Sequence, residues 1–250
     1  MGPHKTHQSL GTPKEASNEL DDMAVVPQHF LASAGSIDLG TVLQTVCSDP
    51  RYLSNISYGS VRRGHPEGTV MNHIREIEGN IDSLTHSYNE LAGIPLSSQT
   101  VLELKIIAHV HDSFKADSRK GARIEDPDSH ASLAVKFLKE FTSDERLLSV
   151  VQLHDLPYSM FRNFIKFGSV NEERINYLLV KVPDLILFTL FQLVDNITVG
   201  KLPEPGKPSA VEWFISEIKI RGAVPANMLD LRLACGFGGR GAGLQREGGK

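Results

Sequence analysis

Apolar residues recur along most of this chain at steps of three and four, the period of one face of an α-helix. Val70, Ile74, Ile77, Ile81 and Leu84 keep that spacing and predict a long amphipathic helix over 68–91, with His73 beside its apolar stripe. Val101, Leu104, Ile107, Ala108 and His111 share one face of a second helix, for which Ser97 or Ser98 is the expected N-cap. His111 therefore points inward, and His109, about 200° round the helix from it, faces elsewhere. Ser129 is placed to cap a third helix whose one side carries His130, Leu133, Ala134, Phe137 and Phe141. A fourth starts near Asp144 and aligns Leu147, Val150, Val151 and His154, with Pro157 expected to limit its end. The run from Leu185 to Val194 is apolar all round, which predicts a core helix, and it leads into Asp195. Val211, Phe214, Ile215 and Ile218 make the segment from Ser209 to Arg221 an amphipathic helix that covers the bundle or joins a dimer contact. No alternating strand pattern persists and no solenoid-length repeat occurs, so the expected fold class is all-α.

Composition sets the ends and the surroundings. Residues 1–22 are polar and without hydrophobic period, and are expected to be a disordered tail. Residues 223–250 form a second, flexible tail, because seven of the last fifteen residues are glycine and ordering them costs much chain entropy. The interval 23–222 is then one helical bundle, long enough at 40% hydrophobic residues to bury a core. A net charge of −4 argues against nucleic acid or an anionic membrane as the main partner. Cys47 and Cys235, far apart, make neither a disulfide framework nor a zinc knuckle. The amino-terminal stretch lacks the apolar run of a signal peptide and the run over 185–194 is too short to span a bilayer, so a cytoplasmic location is expected. Without secretion, the formal glycosylation acceptor at Asn55 has no role.

The chemistry lies in residues that interrupt the apolar faces. Asp195, in a helix of that character, needs a cation or several donors, since an unpaired buried carboxylate is costly. A lone inward histidine is more often a hydrogen-bonded core residue than a ligand. Four of them, His73, His111, His130 and His154, lie on separate helices, and with Asp112 and Asp195 they make a mixed imidazole and carboxylate set suited to a two-metal site. One or two divalent ions are expected, and the donor set does not separate Fe, Mn, Co, Ni, Zn or Mg. His65, His86 and His109 lack this placement and are read as structural or solvent-exposed.

His73, the pair His111-Asp112 and Asp195, in that order over roughly 64–201, resemble the signature of the HD-domain metal-dependent phosphohydrolases. The stretch from His65 to His73 also looks like the opening of the HD domain appended to some tRNA nucleotidyltransferases, whose catalytic head is missing here. His130 in Ser129-His130-Ala131-Ser132 and His154 in Leu153-His154-Asp155 resemble the added ligands of two-metal subgroups. One such subgroup is the bacterial HD enzymes that cleave dinucleoside polyphosphates symmetrically. The run from His111 to Lys115 matches its His-Asp-x-x-Lys, and Asp195 through Lys201 parallels its Asp followed by a basic residue. The segment from Asp155 to Tyr158 departs from that subgroup's small polar turn, and the region from Arg123 to Asp128 differs as well.

The resemblance implies an HD-type helical bundle and a phosphohydrolase that cleaves a phosphoester or phosphoanhydride of a nucleotide-like substrate with metal-activated water. Asp112 would bridge two ions, His73, His111 and Asp195 completing one, and His130 with His154 most of the other. Lys115 would meet a phosphate oxygen as a point charge, and Arg119, Lys120 and Arg123 would form a mobile basic rim. The alternative is an HD-fold binding or regulatory module without turnover. Expected partners are a small phosphorylated substrate and a possible second copy in a homodimer, with no membrane.

Overall fold

A computed structural model of the chain describes residues 38–62, 65–92, 96–201 and 209–224, with the backbone alone for 89–92. Residues 1–22, and all but two residues of the 223–250 segment, lie outside that description. Ten α-helices account for the described fold, and among the described residues there is no strand. They are α1 (Leu39–Ser48), α2 (Pro50–Asn55), α3 (Val70–Ala92), α4 (Ser98–Val110), α5 (His130–Leu138), α6 (Glu145–Leu153), α7 (Leu156–Phe167), α8 (Glu172–Lys181), α9 (Leu185–Asn196) and α10 (Ala210–Ile220).

Polar caps place most of these starts. Ser97 accepts from the Thr100 amide at 3.0 Å, Ser129 from Ser132 at 3.0 Å, Asp144 from Arg146 at 2.9 Å and Asp184 from Leu187 at 2.9 Å. The long helix begins at Val70 and not at 68, because Gly68 has φ +81°, outside the helical region. Pro157 does not stop α6. That helix ends on its own at Leu153, and Pro157 stands in the first turn of α7, where the missing amide would have no helical partner.

The core forms around α4 and α9. Leu104, Ile106, Ile107, Ala108 and Val110 are all fully buried, and α4 packs against α1, α3, α5, α6 and α9. In α9 every residue from Leu187 to Asp195 is buried, the environment expected of a helix apolar on all sides. Helix α10 closes over α9 and α7 with Val211, Phe214, Ile215 and Ile218. Among the described residues no single helix is long and apolar enough to cross a membrane.

Among the polar groups buried in this core, one carboxylate lies outside the histidine cluster. Glu103 of α4 is 2% exposed, and its carboxylate accepts from Arg146 at 2.7 Å and Gln99 at 3.0 Å. Arg146 also reaches the caps Asp144 and Asp184, so it ties the start of α6 to α4 and α9. Arg146→Ala leaves a buried carboxylate uncompensated and is expected to cost about 3 kcal/mol. Adding Glu103→Gln should return part of that loss. Urea unfolding followed by circular dichroism measures both, and a double variant less stable than the single would contradict this account.

Candidate metal centre

The loop before α3 sets the first candidate ligand. Gly59, with φ +112°, lies so close to the Gly68 carbonyl that a Cβ there would collide with it, and the Val70 amide donates to the Tyr58 carbonyl at 3.0 Å. This contact fixes the first turn of α3, which carries His73. His111 is the C-cap of α4 and Asp112 follows it, His130 opens α5, His154 is the C-cap of α6, and Asp195 sits in the last turn of α9. Three helices thus aim their C-terminal ends, the negative ends of their dipoles, at one place. The structure brings all six expected ligands together there. His73, His111, Asp112, His154 and Asp195 are each no more than 5% exposed, and the His130 side chain is 19% exposed.

The six residues form two groups, His73 with His111 and Asp195, and Asp112 with His130 and His154. Asp112 faces both. Its Oδ2 lies 3.8 Å from His73 Nε2 and 3.4 Å from His111 Nε2, while its Oδ1 lies 3.5 Å from His130 Nε2 and 3.6 Å from His154 Nε2. Asp195 Oδ1 closes the first group at 3.1 Å from His73 Nε2 and 3.8 Å from His111 Nε2. Ligands arranged tetrahedrally about 2.1 Å from a shared ion lie about 3.4 Å apart, so these spacings suit donors to a common metal.

The hydrogen bonds point the same way. His111 Nδ1 donates to the Ala108 carbonyl at 2.9 Å and His154 Nδ1 to the Val151 carbonyl at 2.8 Å, which leaves each Nε2 with a lone pair aimed into the centre. His130 Nε2 and His154 Nε2 stand 3.3 Å apart, a separation that requires a proton or a cation between them. His111 Nε2 and Asp112 Oδ1 are buried without any hydrogen-bond partner, a costly condition that a metal would relieve. His73 differs, since its Nδ1 is also buried without a partner.

Two lysines now balance the carboxylates. Lys115 bonds Asp112 Oδ2, and Lys201 bonds both oxygens of Asp195 at 2.6 Å. Burial opposes ionisation of Asp112, but Lys115 and His111 outweigh it and hold the carboxyl well below the ordinary range. Burial likewise opposes ionisation of Asp195, and there Lys201, followed by the histidines, overcomes it. Burial pushes the His111 imidazole down, toward the neutral form that a metal needs. At His154 the burial penalty is outweighed by Asp155 and Asp112, and the pKa rises. Ionised carboxylates, each countered by one lysine, thus share a buried volume with imidazole nitrogens.

The centre forms part of the wall of a cleft of about 1300 Å³. Lys115, His154, Asp155, Asp195 and Lys201 line it, as do Arg123, Arg162 and Arg174. Only part of the expected basic rim is there. Arg119 pairs with Asp126 at 2.8 Å and Asp128 at 3.6 Å, because the turn from Arg119 to Asp128 folds back on itself, and neither Arg119 nor Lys120 lines the cleft. His109 is on the far side of α4, 2.5 Å from the Tyr52 hydroxyl and 3.3 Å from Glu78, while His65 pairs with Glu67 and His86 is exposed. Sequence reading did not place Asp155, Arg162 or Arg174 in the site. Asp155 adjoins His154, but the arginines reach the cleft only through α7 and α8, which the periodicity did not reveal.

No family model, no curated protein and no solved structure matches this chain. What the centre can do follows from its donor set, two groups sharing one carboxylate, each able to hold a divalent ion. Mn²⁺ at a hundredfold excess over its Kd is expected to stabilise the metal-free protein by about 2.7 kcal/mol per site, seen as a rise in melting temperature. Asp112→Ala should abolish the rise, and His130→Ala should keep only part of it. An unchanged melting temperature in the unaltered protein would remove the metal assignment.

Proposed function

We propose that the chain is a metal-dependent phosphohydrolase built on an HD-type bundle, acting on a small nucleotide-like phosphoester or phosphoanhydride. The observation that carries this reading is Asp112, whose two oxygens face two separate sets of imidazoles across 3.4–3.8 Å. A carboxylate bridging two divalent ions is the arrangement of two-metal phosphoryl-transfer sites. Ions bound by these donors would supply the charge that activates water and neutralises a phosphoryl group.

The protein's own groups divide the remaining work. His73, His111, Asp195, His130 and His154 hold geometry from the ends of five different helices. Lys115, with its side chain 33% exposed on the cleft wall, is placed to turn from Asp112 to a phosphate oxygen once a metal takes over that carboxylate. Arg123, Arg162 and Arg174 offer cationic groups to further phosphate oxygens. Tyr158 and Tyr177 present exposed rings along the same cleft, a surface on which a base can stack. Among the described lining residues there is no cysteine, and the one serine, Ser159, accepts a hydrogen bond from Arg174, so the proposed nucleophile is water.

The test is phosphate release by the Mn²⁺-loaded protein from a panel of nucleoside mono-, di- and triphosphates and dinucleoside polyphosphates. Release from at least one member, lost in Asp112→Ala, is expected; metal binding with no release from any member would make the chain a binding module. Lys115→Ala should lower kcat by about 10²-fold with metal content intact, the usual effect of losing one preorganised donor. Wild-type kcat in that variant would reject its role. Arg162→Ala should raise KM with kcat retained, the result of losing uniform binding from the cleft wall; a fall in kcat alone would contradict that role.

A further inference from the structure

We propose that Asp155 is a further metal-donor residue, joining His130, His154 and Asp112 in a second subsite of two imidazoles and two carboxylates. The inference rests on the metal-site reading above and adds to it a residue that neither the periodicity nor the signature placed there.

Asp155 Oδ2 lies 3.3 Å from His130 Nε2, and its Oδ1 lies 3.6 Å from His154 Nε2. These are the same two nitrogens that face Asp112 Oδ1. A carboxylate that merely orients a ligand histidine contacts the ring nitrogen turned away from the metal. For His154 that nitrogen is already taken by the Val151 carbonyl. Asp155 instead approaches both rings from the side on which an ion would sit.

Its backbone position makes the contact more telling. Asp155 is the N-cap residue of α7, where an aspartate ordinarily accepts from the amides of the first turn. Here the residue has φ −83° and ψ −10°, the helical region, and its side chain makes no cap hydrogen bond. The carboxylate is left free for the cluster. A second, independent observation lies opposite it. Asp112 Oδ1, on a side chain 4% exposed, has no hydrogen-bond partner and is aimed into the same subsite.

With Asp155 included, each half of the centre has two histidines and two carboxylates, Asp112 being common to both. The set contains no thiolate and suits borderline to hard divalent ions such as Mn²⁺ or Fe²⁺. Three carboxylates against two divalent ions leave one net positive charge, to which Lys115 and Lys201 add theirs, so the centre suits an anionic substrate. The halves differ in access, since the Asp155 side chain is 43% exposed on the cleft wall while that of Asp195 is 3% exposed. The second ion is then the one beside the substrate.

Mn²⁺ binding to metal-free full-length protein, read by calorimetric titration and by elemental analysis after desalting, tests this without reference to activity. The unaltered protein should take up two ions of similar affinity. Asp155→Asn and Asp155→Ala should each retain one, with binding of the other weakened by more than about 100-fold, beyond the 10- to 100-fold loss typical of an outer-sphere partner. Asp155→Asn changes almost no volume, and an unchanged circular dichroism spectrum shows that the fold persists. Two retained ions, or any smaller loss of affinity, would overturn the role of Asp155 and leave the metal centre standing, as would loss of both ions. Absence of Mn²⁺ binding in the unaltered protein would overturn the centre and this inference together.

Discussion

Two carboxylates buried in an all-helical core, Asp112 at 3% exposure and Asp195 at 2%, are the constraint around which this molecule is arranged. Burying a charge costs several kcal/mol unless it is met by opposite charge and hydrogen bonds. The groups nearest to them are imidazole nitrogens and two lysine ammoniums, with no apolar contact able to compensate. Those lysines come from different parts of the chain, Lys115 from the turns that follow α4 and Lys201 from the turn after α9. They neutralise the carboxylates but leave His111 Nε2 and Asp112 Oδ1 without partners, so compensation by protein groups alone is incomplete.

The helical frame deepens the same potential. Ends of α4, α6 and α9 converge, and each brings the negative end of its dipole to the cluster. Packing makes this placement rigid: α4 and α9 are buried on almost every side, so His111, Asp112 and Asp195 have little freedom to move apart. A cation is the simplest species that answers buried carboxylates, unpaired imidazole lone pairs and three helix C-termini at once. The proposed hydrolytic role uses the same feature, because a surplus of positive charge beside an open cleft is what an anionic phosphoryl group requires.

Much of this was legible in the residues, and the reasons are specific. Ile74, Ile77 and Ile81 mark the buried face of α3 without ambiguity, and the apolar run of α9 made Asp195 conspicuous by contrast. Inward histidines were visible because each follows or precedes a clean apolar stripe. Helices α1, α2, α7 and α8 were not. In α2 six residues give too few turns for a period to register, and in α7 Pro157 reads as a stop although it lies in a first turn. Asp155, Arg162 and Arg174 were hidden with α7 and α8, since their meaning depends on a wall of the cleft formed only in three dimensions. The turn from Arg119 to Asp128 shows the opposite error in part, since Arg119 spends its charge on Asp126 and Asp128 while Arg123 does line the cleft.

The central claim is that Asp112 stands between two cation sites and shares one oxygen with each. Crystals grown with Mn²⁺ and measured near the manganese absorption edge test it by anomalous scattering. Two peaks flanking the Asp112 carboxylate, one among His73, His111 and Asp195 and one beside His130 and His154, are the predicted result. No peak within ligand distance of Asp112, or a single one remote from both groups of histidines, would contradict the account.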